Sequence, residues 1–362
     1  MAGLKGVILC AGEGRRLRPF TYACSKALLP LANRHLIDYV LEALRDAGVT
    51  DTCIVISPSN ADIPRALGDG RQRGLTLTYA TQLVPRGLAD AAMQARDAVG
   101  DSPFVLYLGD TIAQYGVAQL VRSFLAGETE AAVMLGEVAE PQHYGVAELD
   151  GDLIRRLVEK PQRPRSNLAV VAAYCLRPSI WSAIERIQPS PRGELEMTDA
   201  IQRLIDDGHA VLGVATSGWW VDAGTPEKAL AANARLLSEQ APLVQGAVES
   251  GCSVVGDVQV GPGAEVSASA LIGPCAVGAD CRITECEIGP DVSVGAGTRV
   301  RGARVRNSIL GASVVVEGPV GLEGCILGDR VVLSAPAGAV TLAGACLCAD
   351  TQIHLRAAGT SG

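Results

Sequence analysis

Residues 6–16, with the sequence GVILCAGEGRR, join a short apolar strand to a glycine-rich turn and two arginines. Such a turn after a first strand lets backbone N–H groups approach phosphate oxygens closely. Arg16 offers a planar fork of donors and the nearby Lys26 offers a point charge, and both suit a polyphosphate. The stretch predicts an α/β domain that opens with a phosphate-binding loop, although a tight turn with solvated basic residues has the same pattern.

Composition excludes several classes of protein. The chain has 362 residues, is 48% hydrophobic and carries a formal net charge of −8. It is long enough for a large core and a second, smaller one. The acidic balance argues against a nucleic-acid or membrane-surface binder. Without a signal-peptide pattern or a long apolar run, we expect a cytoplasmic protein that does not bind a membrane.

The eleven cysteines do not indicate disulfides or zinc. A chain of this size without a leader is not a small disulfide-stapled domain. The spacing lacks the paired Cys-x-x-Cys of a zinc site. Seven of the cysteines lie between Cys252 and Cys348, among Val, Ile and Gly. We therefore expect small thiols that fill a repetitive core.

The first two thirds of the chain alternate strand and helix patterns. Strands are predicted at Val7–Leu9, Cys53–Ser57, Leu75–Tyr79 and Phe104–Leu108, and helices at Leu36–Ala47, Ile63–Gly68 and Leu88–Ala98. This alternation is typical of an α/β domain, whose ligands bind beyond the carboxyl ends of the strands. Asp110 follows one of these strands, where a metal-binding or catalytic carboxylate is expected.

The last third has a different period. Val254, Val260, Val266 and Ile272 recur every six residues, and the series continues with a few five-residue steps to Leu327. A hexapeptide repeat of this kind predicts a parallel β-helix. A Val- and Gly-rich linker is the alternative, but disordered segments are poor in β-branched residues. The predicted domains are residues 1–240 and 241–362.

Several ordered motifs resemble the sugar-phosphate nucleotidylyltransferases, and most of all the long-form glucose-1-phosphate thymidylyltransferases of deoxysugar and antibiotic pathways. The segments that carry the resemblance are LRPFTYACSKALLPLAN (17–33), LTYATQLVPRGLADA (77–91), FVLYLGDT (104–111), HYGVAEL (143–149), LVEKP (157–161), SNLAVVAAY (166–174), PSPRGELEMTDAI (189–201) and GWWVDAGTPE (218–227). The resemblance implies a Rossmann-like domain with a mixed, mostly parallel sheet, followed by a left-handed parallel β-helix.

The resemblance also implies a reaction. A phosphate oxygen of a sugar 1-phosphate attacks the α-phosphorus of a nucleoside triphosphate, and pyrophosphate leaves. The resemblance implies that the sugar phosphate is glucose 1-phosphate and that the nucleotide is dTTP. No covalent enzyme intermediate is needed, so catalysis consists of positioning and charge neutralisation. Mg²⁺ would be held by two carboxylates and phosphate oxygens. Asp110 and Asp222 are the expected ligands, although an Asp in a loop is more often a turn or cap residue.

The remaining roles are carried over position by position. Arg16 would clamp the leaving pyrophosphate, and Lys26 would reach the α-phosphate. Lys160 would bind the sugar phosphate with help from Arg192. The other expected contacts are Ala11, Gly12 and Gly14 to the nucleotide, Gln82 and Gly87 to the base, Glu159 and Asn167 to sugar hydroxyls, and Tyr144, Gly145 and Val171 around the sugar. Trp219 and Trp220 either wall the sugar site or pack in the core.

Five residues depart from the family pattern, and they leave the substrates open: Ala11, Arg15, Ala27, Ala172 and Ala223. A different nucleoside triphosphate, or a modified sugar or cyclitol phosphate, therefore remains an alternative. A non-catalytic scaffold is an alternative of another class. Acyl transfer on the β-helix is a weaker one, because the tail has only His354, placed beyond the regular repeats. The ends of a β-helix favour self-association, so we expect a homo-oligomer.

Overall fold

The computed structural model describes residues 3–113, 116–216, 218–335 and 340–355. The chain forms two compact units. The first contains the N-terminal residues up to Glu13 together with Ile37–Asp222. The second contains Gly14–Leu36, which we call the hairpin segment, together with the chain from Ala223 onward. The predicted division at residue 240 stays a prediction.

The strands before the repeat region are β1 Lys5–Cys10, β2 Pro30–Leu31, β3 Arg34–His35, β4 Asp51–Ile56, β5 Thr76–Thr81, β6 Phe104–Leu108, β7 Thr111–Ala113, β8 Ala131–Glu137, β9 Gly145–Asp150, β10 Leu153–Glu159, β11 Leu168–Leu176, β12 Val211–Ala215 and β13 Trp220–Asp222. The helices are α1 Leu36–Asp46, α2 Asp62–Leu67, α3 Leu88–Met93, α4 Arg96–Val99, α5 Gly116–Ala126, α6 Ser179–Arg186, α7 Met197–Asp206 and α8 Pro226–Ser238.

The first unit is built on a mixed sheet with the order β5-β4-β1-β6-β11-β8-β12-β10-β9. The strands from β5 to β6 run parallel, as the alternating pattern predicted. Beyond β6 the pairs are antiparallel except for β8 with β12. The predicted α/β architecture is confirmed. Its parallel pairs lie mainly where strands and helices alternate along the chain, because a parallel pair needs a crossover connection.

Helix predictions in this unit are confirmed, with one difference. The pattern over Leu88–Ala98 forms two short helices, α3 and α4, rather than one. Between them the chain bends at Gln94 and Ala95. In the core of this unit, the rings of Phe104 in β6 and Trp181 in α6 stack with their centroids 4.7 Å apart. Both rings are buried, so this pair fixes α6 on the sheet.

The second unit contains the predicted β-helix, formed within the described residues by three parallel sheets. The first face contains Leu243–Val244, Val258–Val260, Cys275–Val277, Val292–Val294, Ile309–Leu310, Ile326–Leu327 and Cys346–Leu347. The second contains Ala247–Val248, Glu265–Ser267, Arg282–Thr284, Arg299–Arg301, Val315–Glu317, Val332–Ser334 and Gln352–His354. The third contains Ser253–Val255, Ala270–Ile272, Glu287–Ile288, Arg304–Arg306, Val320–Glu323 and Val340–Ala343.

The β-helix core follows the hexapeptide period. Val266, Ile283, Val300 and Val316 stack on one face, each almost completely buried. Cys275, Cys281, Cys286 and Cys325 are buried as well, and burial raises the pKa of each thiol. The prediction that these thiols fill a repetitive core is confirmed. The handedness of the β-helix stays a prediction.

His354 corrects one detail of the sequence interpretation. It lies inside the stack, in the strand Gln352–His354 that pairs with Val332–Ser334. Its Nδ1 is 2.7 Å from the hydroxyl of Ser334, its neighbour on the preceding turn. The hexapeptide count missed this strand because the last turn is longer than the others.

The hairpin segment belongs to the second unit. Strands β2 and β3 form a two-residue hairpin whose tip is Ala32 and Asn33. α8 packs against β2 and against the β-helix strand Val292–Val294. On the same face of the β-helix, the thiol of Cys346 is 3.7 Å from the carbonyl oxygen of Leu17. The hairpin segment is therefore attached to the β-helix, and not only to its neighbours in sequence.

Candidate functional site

Two predicted metal ligands meet on a short ladder of the first unit. β7 pairs antiparallel with β13, and Asp222 lies opposite Thr111. Asp110 immediately precedes Thr111, whose hydroxyl donates to Asp110 Oδ1 at 3.3 Å. The structure thus brings Asp110 and Asp222 to adjacent positions, although 111 residues separate them in the sequence.

The turn that carries Asp110 is shaped by its neighbours. Gly109 donates its N–H to the carbonyl of Leu9 at 3.0 Å. A Cβ at Gly109 would collide with the sulfur of Cys10, so glycine is required for β1 and β6 to approach here. The buried hydroxyl of Tyr107 accepts a hydrogen bond from Ala113 N–H at 3.2 Å. These contacts fix the backbone before and after Asp110.

A second cluster, which we call the sugar cluster, gathers three residues predicted to contact the sugar phosphate. Glu159 ends β10 and Lys160 follows it, with Lys160 Nζ 3.7 Å from Glu159 Oε1. Arg192 Nη2 lies 3.3 Å from the same oxygen. The hydroxyl of Thr198 donates to Glu159 Oε2 at 3.0 Å. A Cβ at Gly145 would lie 2.6 Å from Thr198 Cγ2, so this glycine lets α7 approach β9.

The charge of Glu159 is strongly influenced by its surroundings. Burial raises the pKa of this carboxyl, and the nearby Glu196 raises it further. The hydrogen bond from Thr198 and the charges of Lys160 and Arg192 act in the opposite direction. A half-desolvated carboxylate between two cations is well suited to accept hydrogen bonds from sugar hydroxyls while the cations bind a phosphate.

Arg192 is held in place by residues that the sequence did not mark as part of the site. Its Nη2 and Nε donate to Glu196 Oε1 at 2.7 and 3.2 Å. The hydroxyl of Ser190 donates to the same oxygen at 2.8 Å. Glu196 is almost completely buried, so it acts as a fixed counter-ion. Sequence reasoning left Glu196 out of the site because a Glu near a helix start is usually only a dipole partner.

Aromatic contacts link the sugar cluster to the carboxylate ladder. Tyr144 and Trp220 meet edge to face, with their ring centroids 5.8 Å apart. The carbonyl of Tyr144 accepts from Lys160 N–H at 3.0 Å. Trp220 in β13 pairs with Ala113 in β7, on the same ladder that holds Asp222. Both alternatives for Trp220, a wall of the sugar site or packing in the core, stay predictions.

The predicted base-reading residues form a third group. Gln82 Nε2 donates to Asp90 Oδ2 at 2.7 Å and to the carbonyl of Gly87 at 3.3 Å. Arg86 Nη2 lies 2.8 Å from the other oxygen of Asp90. Both partners of Nε2 are acceptors, so they fix the amide orientation and turn Oε1 away from Asp90. The role of Asp90 had no signal in the sequence, where it reads as an ordinary first-turn acid of α3.

Gly87 connects this group to the sugar cluster. The backbone of Leu195 donates to the carbonyl of Arg86 at 2.7 Å and accepts from Ala89 N–H at 3.0 Å. Gly87 has φ +110°, and a Cβ there would lie 2.5 Å from the Leu195 carbonyl oxygen. A close backbone crossing therefore requires this glycine. The same segment, one residue further on, carries Glu196.

The remaining predicted residues fall into two sets. Ala11 and Gly12 follow β1 in the first unit, where a Cβ on Gly12 would meet nothing within 4 Å. Gly14, Arg16 and Lys26 lie in the second unit. Gly14 has φ +62°, and a Cβ there would lie 2.8 Å from Thr21 Cγ2. The glycine requirement of the loop thus rests on Gly14.

β11 holds Val171 and follows Asn167. Asn167 is exposed, and its carbonyl accepts from Val138 N–H at 3.0 Å. Val171 is buried beside Ala172, where the pairing of β11 with β8 shifts register. Ala172 has φ +56°, a left-handed conformation that glycine adopts more easily. The departure at residue 172 therefore places an alanine in a strained backbone position.

The carboxylate ladder fits a divalent cation. Asp110 and Asp222 supply two hard oxygen donors at neighbouring positions, and Mg²⁺ commonly combines one or two carboxylates with substrate phosphates. Within the described residues, there is no group of three or more His, Cys, Asp or Glu side chains that could hold a metal. A phosphate-completed site is consistent with that donor count. Across the same residues, no helix is long and apolar enough to cross a membrane.

The chain is similar to known proteins along most of its length. The sequence model of the nucleotidyl transferase family matches residues 5–239. A glucose-1-phosphate thymidylyltransferase of Streptomyces antibioticus is 40% identical over 330 residues, which is 91% of this chain and 93% of that protein. A low-salt glycan biosynthesis nucleotidyltransferase of Haloferax volcanii is 42% identical over 263 residues, which is 72% of this chain and 74% of that protein.

A solved structure is similar as well. It is a candidate glucose-1-phosphate thymidylyltransferase from Bacillus anthracis, in complex with sucrose, and it matches with a TM-score of 0.61 and 34% sequence identity. The match covers 64% of this chain and 95% of that one. Because the family match covers well over half of the sequence, and the Streptomyces relative aligns along nearly its whole length, the chain belongs to the nucleotidyl transferase family.

Proposed function

We propose that this protein transfers a thymidylyl group from dTTP to glucose 1-phosphate, releasing dTDP-glucose and pyrophosphate. The observation that carries the proposal is the pairing of β13 with β7, which sets Asp222 beside Asp110 in the same unit as the Glu159, Lys160 and Arg192 cluster. The identity with the Streptomyces enzyme supports the choice of both substrates.

Each group of residues has a separate task. Lys160 and Arg192 bind the phosphate of the sugar, and Glu159 accepts hydrogen bonds from its hydroxyls, with Asn167, Tyr144, Gly145 and Val171 around the ring. Gln82 and Gly87 bind the base, and Ala11, Gly12 and Gly14 approach the nucleotide through their backbone. Arg16 holds the leaving pyrophosphate and Lys26 the α-phosphate, so that the attacking oxygen and the leaving group stay in line.

Mg²⁺ bound at Asp110 and Asp222 would neutralise the charge that develops on the phosphate oxygens. The protein's part is to hold two carboxylates at neighbouring positions and, in the same unit, a partly buried ion-pair network. This network keeps Lys160 and Arg192 close to one carboxylate before any substrate arrives. A preorganised site of this kind loses little free energy to reorganisation during the reaction.

The proposal extends to the setting of the enzyme. We infer a catalytic domain over residues 1–240, a β-helix domain over 241–362, and a homo-oligomer. We place it in the cytoplasm, where nucleoside triphosphates are supplied. The product would serve deoxysugar formation of the kind used in antibiotic biosynthesis.

The test is pyrophosphate release in the presence of Mg²⁺, with dTTP, UTP, ATP, GTP and CTP each offered with glucose 1-phosphate. We expect turnover that prefers dTTP, with a product of the mass of dTDP-glucose. Release with another nucleotide only would overturn the choice of base. No pyrophosphate release with any of the five nucleotides would overturn the choice of glucose 1-phosphate or favour the non-catalytic scaffold. Turnover of an acyl-CoA would favour the acyl-transfer alternative.

A further inference from the structure

Asn233 is a fully buried amide in the middle of α8, and its hydrogen-bond partners described below belong to the second unit. Its Oδ1 accepts from Ala32 N–H at 2.8 Å and from the Ser293 hydroxyl at 2.8 Å. Its Nδ2 donates to the carbonyl of Asp291 at 3.3 Å. The backbone N–H of Ala32 can only donate, so the orientation of the amide is fixed.

These partners come from two separate elements. Ala32 is the first tip residue of the β2–β3 hairpin, while Asp291 and Ser293 belong to one turn of the β-helix. One side chain of α8 therefore joins the hairpin segment to the β-helix. A buried amide with its hydrogen-bonding groups satisfied from several elements specifies one arrangement, because any shift leaves a polar group unpaired.

The hairpin tip is held at two further points. Asn33 Nδ2 donates to the carbonyl of Ala276 on the β-helix at 3.3 Å. Gln240 Nε2 donates to the carbonyl of Ala32 at 3.4 Å. Ala32 and Asn33 have φ values of +47° and +62°. Asn adopts this left-handed region readily, whereas Ala is strained there. Contacts with Gln240 and the β-helix thus hold the tip in this conformation.

We propose that Asn233 is a positioning residue that fixes the hairpin segment against the β-helix and thereby sets the affinity for the nucleoside triphosphate. The inference rests on the phosphate-binding roles proposed above for Arg16 and Lys26, which this segment carries. Lys26 lies only a few residues before the tip, and Leu29, between them, accepts a backbone hydrogen bond from Leu36 N–H at 2.9 Å. A displaced tip therefore displaces the backbone that bears Lys26.

The test compares the full-length wild type with Asn233→Ala, Ser293→Ala and Thr298→Val. Thr298 is the matched control, because its buried hydroxyl donates to Gly311 O at 2.9 Å and accepts from Val314 N–H at 3.1 Å inside the β-helix. Binding of dTTP with Mg²⁺ and binding of glucose 1-phosphate are each measured by calorimetry. Hydrogen exchange is followed in peptides that cover residues 14–36.

We expect Asn233→Ala to weaken dTTP binding about ten-fold, to leave glucose 1-phosphate binding within two-fold, and to speed hydrogen exchange in residues 14–36. Ser293→Ala, which is milder and touches only the β-helix side, should shift dTTP binding in the same direction by less. Thr298→Val should lower the melting temperature without changing either affinity.

Unchanged dTTP binding in a folded Asn233→Ala or Ser293→Ala variant would overturn the inference. An equal loss for both substrates, or the same loss in Thr298→Val, would also overturn it, because either result reports general destabilisation. Calorimetry needs no turnover. A wild type that binds dTTP but makes no dTDP-glucose would therefore remove the proposed reaction and leave the role of Asn233 standing.

Discussion

Asp222 lies directly across the β7–β13 ladder from Thr111, the residue that follows Asp110. The ladder is short, and it joins two parts of the chain that are distant in sequence. Directly opposite residues of an antiparallel pair have their Cα atoms about 4.5–5.5 Å apart, so Asp222 lies that close to Thr111, and Asp110 is the next residue along the chain. The chemistry of the site depends on this pairing more than on either Asp alone.

Replacing either carboxylate tests the pairing. We expect Asp110→Asn and Asp222→Asn each to lower kcat about 100-fold, the scale of single groups that stabilise developing charge. Each variant should also need more Mg²⁺ for half-maximal rate, with a melting temperature close to that of the wild type. Asp101→Asn, at an exposed loop position, is the control and should behave as the wild type. Full activity in Asp222→Asn would remove Asp222 from the metal site.

Glu159 should impose a pH dependence on sugar binding. Burial and Glu196 raise its pKa, so the carboxyl takes up its proton at a higher pH than an ordinary glutamate with a pKa of about 4.3. As the pH falls through this raised value, kcat/KM for glucose 1-phosphate should fall, because the protonated group is a weaker acceptor. In Glu159→Gln this decrease of kcat/KM at acidic pH should disappear. The separate change caused by the second ionisation of the substrate phosphate, with a pKa of ~6, should remain.

The stability of Glu159→Gln provides a separate check. A carboxyl whose pKa is raised by folding contributes stability at low pH, and that contribution is lost as the pH rises through the folded value. At neutral pH the buried charge therefore opposes folding. We expect Glu159→Gln to melt at or above the wild-type temperature at pH 7 while sugar-phosphate binding weakens. A clear drop in melting temperature would show that the ion pairs outweigh burial.

Asp90 should control which bases are accepted. It accepts a hydrogen bond from the Gln82 amide nitrogen, so the amide oxygen points away from Asp90 and, in the proposed function, accepts from a base that carries a ring N–H, as thymine does. In Asp90→Asn the partner amide can also donate, so Gln82 can flip. We expect the preference for dTTP over CTP to fall about ten-fold, since lost polar contacts relax discrimination. Arg86→Gln, which spares Asp90, should keep the preference, and an unaltered ratio in Asp90→Asn would refute this role.

Ala172 and Ala173 form a matched pair for backbone strain. Both are buried in β11, but of the two only Ala172 has a positive φ. Glycine relieves the left-handed strain at 172, whereas at 173 it only adds chain entropy to the unfolded state. We therefore expect Ala173→Gly to lower the free energy of unfolding by about 1 kcal/mol more than Ala172→Gly. Equal losses in denaturant titrations would show that Ala172 is not strained.

Local patterns predicted the architecture well. The glycine-rich turn, the alternating apolar segments and the hexapeptide period indicated both folds, because each depends on residues that are close in sequence. The antiparallel half of the first sheet was less visible, since β8 pairs with β11 and β10 with β12 across long connections. The break between α3 and α4 was missed because the helical period continues through Gln94 and Ala95.

The supporting residues of the site were not predictable in the same way. Glu196, Asp90 and Asn233 are polar residues whose role comes from burial and from partners in other elements. In the sequence each lies in or beside a helix and looks like an ordinary surface or cap residue. Their partners Arg192, Gln82 and Ala32 were quoted or named only for their place in motifs. These roles depend on tertiary contacts, which the hydrophobic periodicity of the sequence does not predict.

The attachment of the hairpin segment at both Ala276 and Cys346 has a consequence for the tail. Both residues are on the first face of the β-helix, and four strand spacings separate them, which is about 19 Å. The hairpin segment therefore lies along the β-helix between these two strands. Removing the last turns of this tail would therefore release the segment first at Leu17, its contact with Cys346.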